Sequence, residues 1–305
     1  MSRTAPARPP RPGSTRRRRQ REQRRPWVGY AAAAIVLVLA IFVAARLLIG
    51  SNQPPPADEP VSPELMTALT TVSVDALNQV GRGTVTNPPQ PISGQPVATS
   101  DSGLPLITYI GAEWCPYCAA ERWPMIVALS RFGTLQNLST SSSSSSDVYP
   151  STPTFTFHGS TYTSPYISFQ PVETQSNVRS GNGFQVLATP TTAQESLITT
   201  YDAPPYVPAQ SAGSIPFVDF ANQYMISGAS YDVGVLQGQT REQIAANLSN
   251  PSSPQARAIL GSANAITAAI CATTNGQPAE VCTQPGVTAF APSTPTTTPT
   301  SAPSQ

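Results

Sequence analysis

The chain has 305 residues, with 17 basic against 16 acidic side chains and a formal net charge of +1. That near-neutrality hides a split: every cation is Arg, ten lie in the first 25 residues, and residues 51–305 carry six Arg against fifteen acids, a net of −9. An acidic body excludes a uniformly basic nucleic-acid binder, which needs cations to neutralise phosphate, and its clustered apolar residues argue against a wholly disordered chain.

Residues 1–26 form an Arg- and Pro-rich tail containing the run Arg16 to Arg19. Residues 27–45 follow with nineteen positions free of charge. As a helix they span roughly 28 Å, about the hydrocarbon thickness of a bilayer. Arg46 interrupts near the end, where it can snorkel, and Leu47, Leu48 and Ile49 close the stretch. Trp27 and Tyr30 stand where an interfacial aromatic belt belongs. The long basic region and the poor cleavage site at Ala44-Ala45-Arg46 set this apart from a signal peptide. Residues 27–49 are therefore read as an uncleaved single-pass anchor. The positive-inside rule puts the Arg-rich tail in the cytoplasm and the rest outside it. This argues against a soluble cytoplasmic enzyme.

Residues 50–61 are a Pro-rich stem that extends rather than folds. Residues 62–80 read as two helical pieces, with Ser62 as cap, Pro63 at the first turn and Glu64 beside it. Residues 81–101 read as loop. Residues 104–110 (LPLITYI) are a short strand candidate, and residues 119–132 continue as a helix in which Pro124 predicts a kink. Six consecutive Ser within residues 137–146 predict a flexible polar loop. Alternating aromatics from Phe155 to Phe169 suggest two short strands and a turn. A short helix is expected over 191–200, strands over 217–220 and 224–226, a helix over 241–248 capped by Thr240, and a second Ala-rich helix over 254–273. The expected folded domain is 62–286, and 287–305 is read as a disordered Thr/Pro/Ser tail.

The four cysteines allow three pairings. Their spacing favours Cys115–Cys118 and Cys271–Cys282, and an exported site permits disulfides. The order apolar strand, CPYC, helix puts Cys115 at a helix N-terminus. Unpaired N–H groups and the helix dipole there favour a thiolate. Cys115 would attack a substrate disulfide and Cys118, one turn on, would resolve the mixed disulfide. Zinc is poorly supplied, because zinc wants four ligands and the other two cysteines have ten residues between them, with His158 the only His. A copper-type Cys pair is an alternative. A purely structural CxxC bridge constrains little chain. Cys271–Cys282 is read as a structural bridge, with a second redox relay as the alternative.

ITYIGAEWCPYC resembles the strand, turn and active-site helix of the thioredoxin superfamily. Ser214-Ile215-Pro216, followed by FVDF, resembles its second signature, a Pro that is usually cis and faces the dithiol. Gly228 fits the Gly after the family's hairpin. The resemblance implies that Ile215 binds extended substrate through its backbone and that Pro216 shapes the groove, with Trp114 and Tyr117 beside it. More closely, GAEWCPYCAAERW, ALSRFG, TFTFHGSTYTSPYISF, IPFVDFANQY and AEVC resemble domain of unknown function family 929 of actinobacteria and some archaea, over residues 62–283. That family is regarded as thioredoxin-like and brings no substrate. Tyr109 stands where thioredoxin has a buried Asp, which leaves proton handling to Glu113 or Glu121. The bland alternatives are a solvated turn for Glu113 and an ion pair with Arg122 or Arg131 for Glu121. The long gap between the dithiol and Pro216 implies an insertion at 133–210, partly β and loop-rich.

No phosphate loop appears. The expectation is an α/β, thioredoxin-like, membrane-anchored extracytoplasmic thiol–disulfide oxidoreductase without cofactor or metal. It would act on exported cysteine-containing proteins and be reset by a membrane redox partner; no nucleic acid is involved. The alternatives are a non-catalytic thioredoxin-like scaffold of the cell envelope and a copper-handling dithiol protein.

Overall fold

A computed structural model describes residues 58–290. The expected cytoplasmic tail, the anchor at 27–49, most of the stem and residues 291–305 lie outside the described residues. Ser62 and Ser73 each accept a backbone N–H three residues on, which starts α1 (Pro63–Thr70) and α2 (Val74–Val80). The expected loop at 81–101 contains a two-residue strand, β1 (Gln90–Pro91). β2 (Leu106–Gly111) leads through a tight turn into α3 (Pro116–Leu129), which starts directly after Cys115, ends three residues before Phe132 and carries Pro124 inside it.

Seven short strands follow: β3 (Thr134–Gln136), β4 (Ser139–Ser142), β5 (Pro153–Thr156), β6 (Thr161–Thr163), β7 (Ser168–Glu173), β8 (Gln175–Ser180) and β9 (Gly183–Val186). After α4 (Thr192–Tyr201) come the hairpin strands β10 (Phe217–Phe220) and β11 (Tyr224–Ser227). Thr240 and Gln243 cap each other reciprocally to open α5 (Arg241–Asn247). The chain closes with α6 (Pro254–Thr273), α7 (Ala279–Cys282) and α8 (Pro285–Thr288).

The central sheet is mixed, in the order β1-β11-β10-β2-β7. β2 runs parallel to β7 and antiparallel to β10. Side chains alternate across the sheet. Ile107, Tyr109, Val218, Phe220 and Ile226 join the main core with α3 and α6. Ile110, Val172, Phe217 and Met225 face the other way, onto Tyr201, Val207 and neighbouring α4 residues. Among the described residues α6 is the one helix long and apolar enough to cross a membrane. It packs along α3, and most of its residues are buried inside the fold.

Three expectations are corrected. The serine run is no flexible loop: β4 pairs with β5, and Ser141 to Ser144 are buried. Its polar atoms are satisfied from all sides. Asn177 donates to the Ser142 carbonyl at 2.8 Å, Ser143 Oγ donates to Tyr149 O at 3.0 Å, and the Arg241 guanidinium donates to Ser141 O. Small hydroxyl side chains suit such a crowded, hydrogen-bonded setting. Second, residues 133–210 are not wholly an addition to the sheet, because β7 is one of its strands; β3–β6, β4–β5 and β8–β9 are separate two-stranded ribbons. Third, the packed chain runs beyond 286: Val287 is buried, and the Arg82 guanidinium lies 4.2 Å from the Phe290 ring centroid. The stem is held at its end, with Val61 N–H donating to Leu138 O at 3.0 Å.

Candidate active site

Cys115 is the N-cap residue of α3, and its Sγ accepts the Cys118 N–H at 3.3 Å. An N-cap needs an acceptor for the orphan amides of the first turn, and a sulfur fills that role here. Both cysteines are free thiols; Cys115 is 3% exposed and Cys118 is fully buried. The Cys118 thiol hydrogen bond, helped by the helix amides and by the charge of Arg122, outweighs burial and lowers the Cys115 pKa. Burial first, then the neighbouring Cys115, pushes Cys118 well up. The two sulfurs thus divide into a group that ionises readily and one that holds its proton.

The bond between Ile215 and Pro216 is cis. The loop it shapes faces the dithiol, with the Cys115 thiol donating to the Ile215 carbonyl over a sulfur-length 3.6 Å. Pro216 is buried and Ile215 half-buried. Trp114 stacks on Phe184 of β9 at 5.3 Å with the rings 7° from parallel, and its Nε1 donates to Gln175 Oε1 at 2.9 Å. Tyr117 is 42% exposed and meets Tyr149 edge-on at 6.0 Å. Ile215 thus faces Cys115, and Trp114 and Tyr117 flank it in the chain, packed against the β8–β9 ribbon and Tyr149 respectively.

The two glutamates differ. Glu113 is no solvated turn residue: it is 1% exposed, and neither carboxylate oxygen has a hydrogen-bond partner among the described residues. Burial, opposed by the nearby Thr156 hydroxyl, raises its pKa to about 7. Glu121 is fully buried but forms no ion pair among the described residues; its two oxygens accept from Ser230 N–H and Ser230 Oγ, each at 2.8 Å. Burial raises it to about 7 as well. The cation beside it, Arg122, pairs with Glu173 of β7 instead. Nε donates to Oε1 at 2.8 Å, Nη2 to Oε2 at 2.6 Å, and Nη2 also to Ala112 O at 2.9 Å. The Arg131 guanidinium donates to Thr267 Oγ1 at 3.2 Å.

Sequence reasoning missed Arg122 and Glu173 as members of the site. One signal was present: Arg122 lies four residues after Cys118, on the same helix face, in a helix whose other residues are almost all apolar or small. Cys271 and Cys282 are disulfide-bonded, with Cα atoms 5.6 Å apart, and tie the end of α6 to α7. A cavity of about 350 Å³ lies beside this bridge and away from the dithiol, lined by Ala265, Ala268, Ala269 and Phe290 among others. Among the described residues no three His, Cys, Asp or Glu side chains converge in a metal-binding arrangement.

A family model described as "Domain of unknown function (DUF929)" matches residues 92–272. No curated protein and no solved structure matches the chain.

Proposed function

The chain belongs to the DUF929 family, and we propose that it is a thiol–disulfide oxidoreductase of the extracytoplasmic face of a membrane, built on a thioredoxin-like domain. One observation carries this reading: the Cys115 sulfur sits at the first turn of α3, accepts an amide there, and faces the Ile215 carbonyl at 3.6 Å. A buried structural cystine needs none of these features. The sheet order β11-β10-β2-β7, with β2 and β7 parallel and the dithiol directly after β2, supports the thioredoxin-like assignment. On this reading the ribbons β3–β6, β4–β5 and β8–β9 are the family's additions.

In the oxidising direction a substrate thiolate attacks Sγ of Cys115 in the Cys115–Cys118 disulfide. The S–S bond breaks, Cys118 leaves with the electron pair and takes a proton, and a mixed disulfide remains on Cys115. A second substrate thiolate then attacks the substrate sulfur of that bond and releases Cys115 as a thiolate. The reverse sequence reduces a substrate disulfide. Ile215 would bind the extended substrate through its backbone beside Pro216, with Trp114 and Tyr117 flanking it. Glu113, whose oxygens are unengaged, is the better proton carrier for Cys118; Glu121 is committed to Ser230. The substrates are exported proteins with cysteines. Residues 27–49 would hold the domain at the membrane, where a redox partner resets the dithiol.

The test is a redox titration of the full chain in detergent against a glutathione series, with thiol alkylation and mass spectrometry reading each cysteine pair. A reversible Cys115–Cys118 transition, with Cys271–Cys282 staying oxidised, supports the reading. A first pair as resistant to reduction as the second overturns it in favour of a binding scaffold. Tight Cu(I) binding that needs both thiols, without reversible exchange, would favour copper handling.

A further inference from the structure

α3 is buried on every side except at Tyr117, yet it carries a guanidinium in the core. Arg122 is 0% exposed and stands one turn beyond Cys118 on the same face of the helix. Glu173 holds its Nε and Nη2 in a two-point grip, and Ala112 O, just before the turn that leads to the dithiol, takes a further bond. Its remaining amino group, Nη1, is buried with no hydrogen-bond partner among the described residues. The guanidinium also lies 5.9 Å from the Tyr109 ring centroid, but an unmet buried N–H costs free energy and a buried pair gains little over apolar packing. Glu173 is itself fixed by a third donor, the Phe157 N–H at 3.3 Å. The arrangement holds a cation one helical turn beyond Cys118, within electrostatic reach of both sulfurs.

We propose that Arg122, clamped by Glu173, is a positioning residue that biases the dithiol toward its reduced, thiolate form and so makes the oxidised protein a donor of disulfides to its substrates. This rests on the oxidoreductase reading above and adds its direction. A cation near the sulfurs stabilises the Cys115 thiolate, which is the group released when the protein's disulfide passes to a substrate dithiol. Stabilising the reduced form raises the reduction potential. In each turnover two substrate thiols lose two electrons and two protons; the Cys115–Cys118 disulfide takes both electrons, Cys118 takes one proton, and the other goes to solvent, leaving Cys115 as a thiolate. The direction of the Cys115 shift agrees, since Arg122 is among the groups that lower it. Other ionisable groups surround the guanidinium: Tyr109 from β2, which also couples to both cysteines, Glu113 from the turn before α3, Glu173 from β7 and Asp58 from the end of the stem. Glu121 on α3 is turned to Ser230. Arg122 is the cation among them.

The experiment uses the full chain in detergent, with two readouts. One is the pH midpoint of Cys115 alkylation by iodoacetamide; the other is the equilibrium constant of the Cys115–Cys118 pair against glutathione. Arg122→Met/Glu173→Gln removes both charges together and avoids leaving one buried charge alone. It is expected to raise the Cys115 midpoint by about one pH unit and to make the pair about tenfold harder to reduce by glutathione, roughly 30 mV lower. Glu173→Gln alone unmasks the guanidinium and is expected to shift both readouts the opposite way. Arg122→Lys keeps a charge and is expected to stay near the wild type. A purely structural role predicts no such reversal of sign. If the double variant folds with Cys271–Cys282 intact and both readouts match the wild type, the proposal is overturned. The same holds if Glu173→Gln and the double variant shift in one direction. A wild-type pair that never exchanges with glutathione is a different failure, that of the oxidoreductase reading itself.

Discussion

Glu113, Glu121 and Asp219 are buried carboxyls whose pKa values burial has raised to about 7, from ordinary values of 4.5, 4.5 and 3.8. Between those ordinary values and about 7 the folded chain binds more protons than the unfolded chain. Stability therefore falls as pH rises through that window and levels off above it. Glu113→Gln should flatten the curve by on the order of 1 kcal/mol between pH 4.5 and 7.5. Urea denaturation of the oxidised protein at the two pH values measures this, with the dithiol unable to contribute. An unchanged difference would mean that Glu113 does not ionise there, and its role as proton carrier would go with it. The cysteines make a second, sharper asymmetry. Cys118→Ser leaves the exposed-side sulfur with nothing to resolve it, so mixed disulfides with substrate peptides should accumulate on non-reducing gels. Cys115→Ser leaves only the fully buried, high-pKa thiol and should trap none.

At the scale of the element, local signals carried the reading where a local cause sets the structure. Ser62, Thr240 and the CPYC turn announce helix starts because a cap is satisfied within three residues. The serine strand was illegible for the converse reason. Nothing within it demands burial; Asn177 and Arg241, 35 and 100 residues away from their acceptors in it, supply the bonds that make burial possible. The Arg122–Glu173 pair spans 51 residues and is hidden in the same way, as is Ser230, the partner of Glu121 in place of the ion pair weighed as its bland alternative. Asn177→Ala removes the donor to Ser142 O and should cost about 1–2 kcal/mol in chemical denaturation. Because β4 leads directly to Ser144, whose N–H donates to Trp114 O at 2.8 Å, the same variant should loosen the rim of the site and raise the iodoacetamide reactivity of Cys115. Gly83 shows another constraint that spacing cannot reveal. Its φ is +51°, and a Cβ there would collide with the Arg257 carbonyl of α6. Its GRG context reads only as a turn.

Across the whole molecule the two cysteine pairs differ in state and setting, and on the proposed reading this separates chemistry from stability. Cys115–Cys118 closes almost no chain, lies at a helix start and faces a cis peptide. Cys271–Cys282 spans eleven positions, ties α6 to α7 and lies beside the packing of Val287 that ends the domain. Restricting the unfolded chain across that longer span is worth about 2–3 kcal/mol on loop-entropy grounds. The double variant Cys271→Ser/Cys282→Ser should therefore lose that much stability in guanidinium titrations while its Cys115–Cys118 equilibrium with glutathione stays at the wild-type value. The complementary variant, Cys115→Ala/Cys118→Ala, should abolish disulfide exchange and lower stability only by about 1 kcal/mol, the loss of the cap that Cys115 supplies to α3, since the pair staples nothing. If removing the C-terminal bridge instead shifted the dithiol equilibrium, the two pairs would be exchanging electrons, and the bridge would have to be read as a relay rather than a clip.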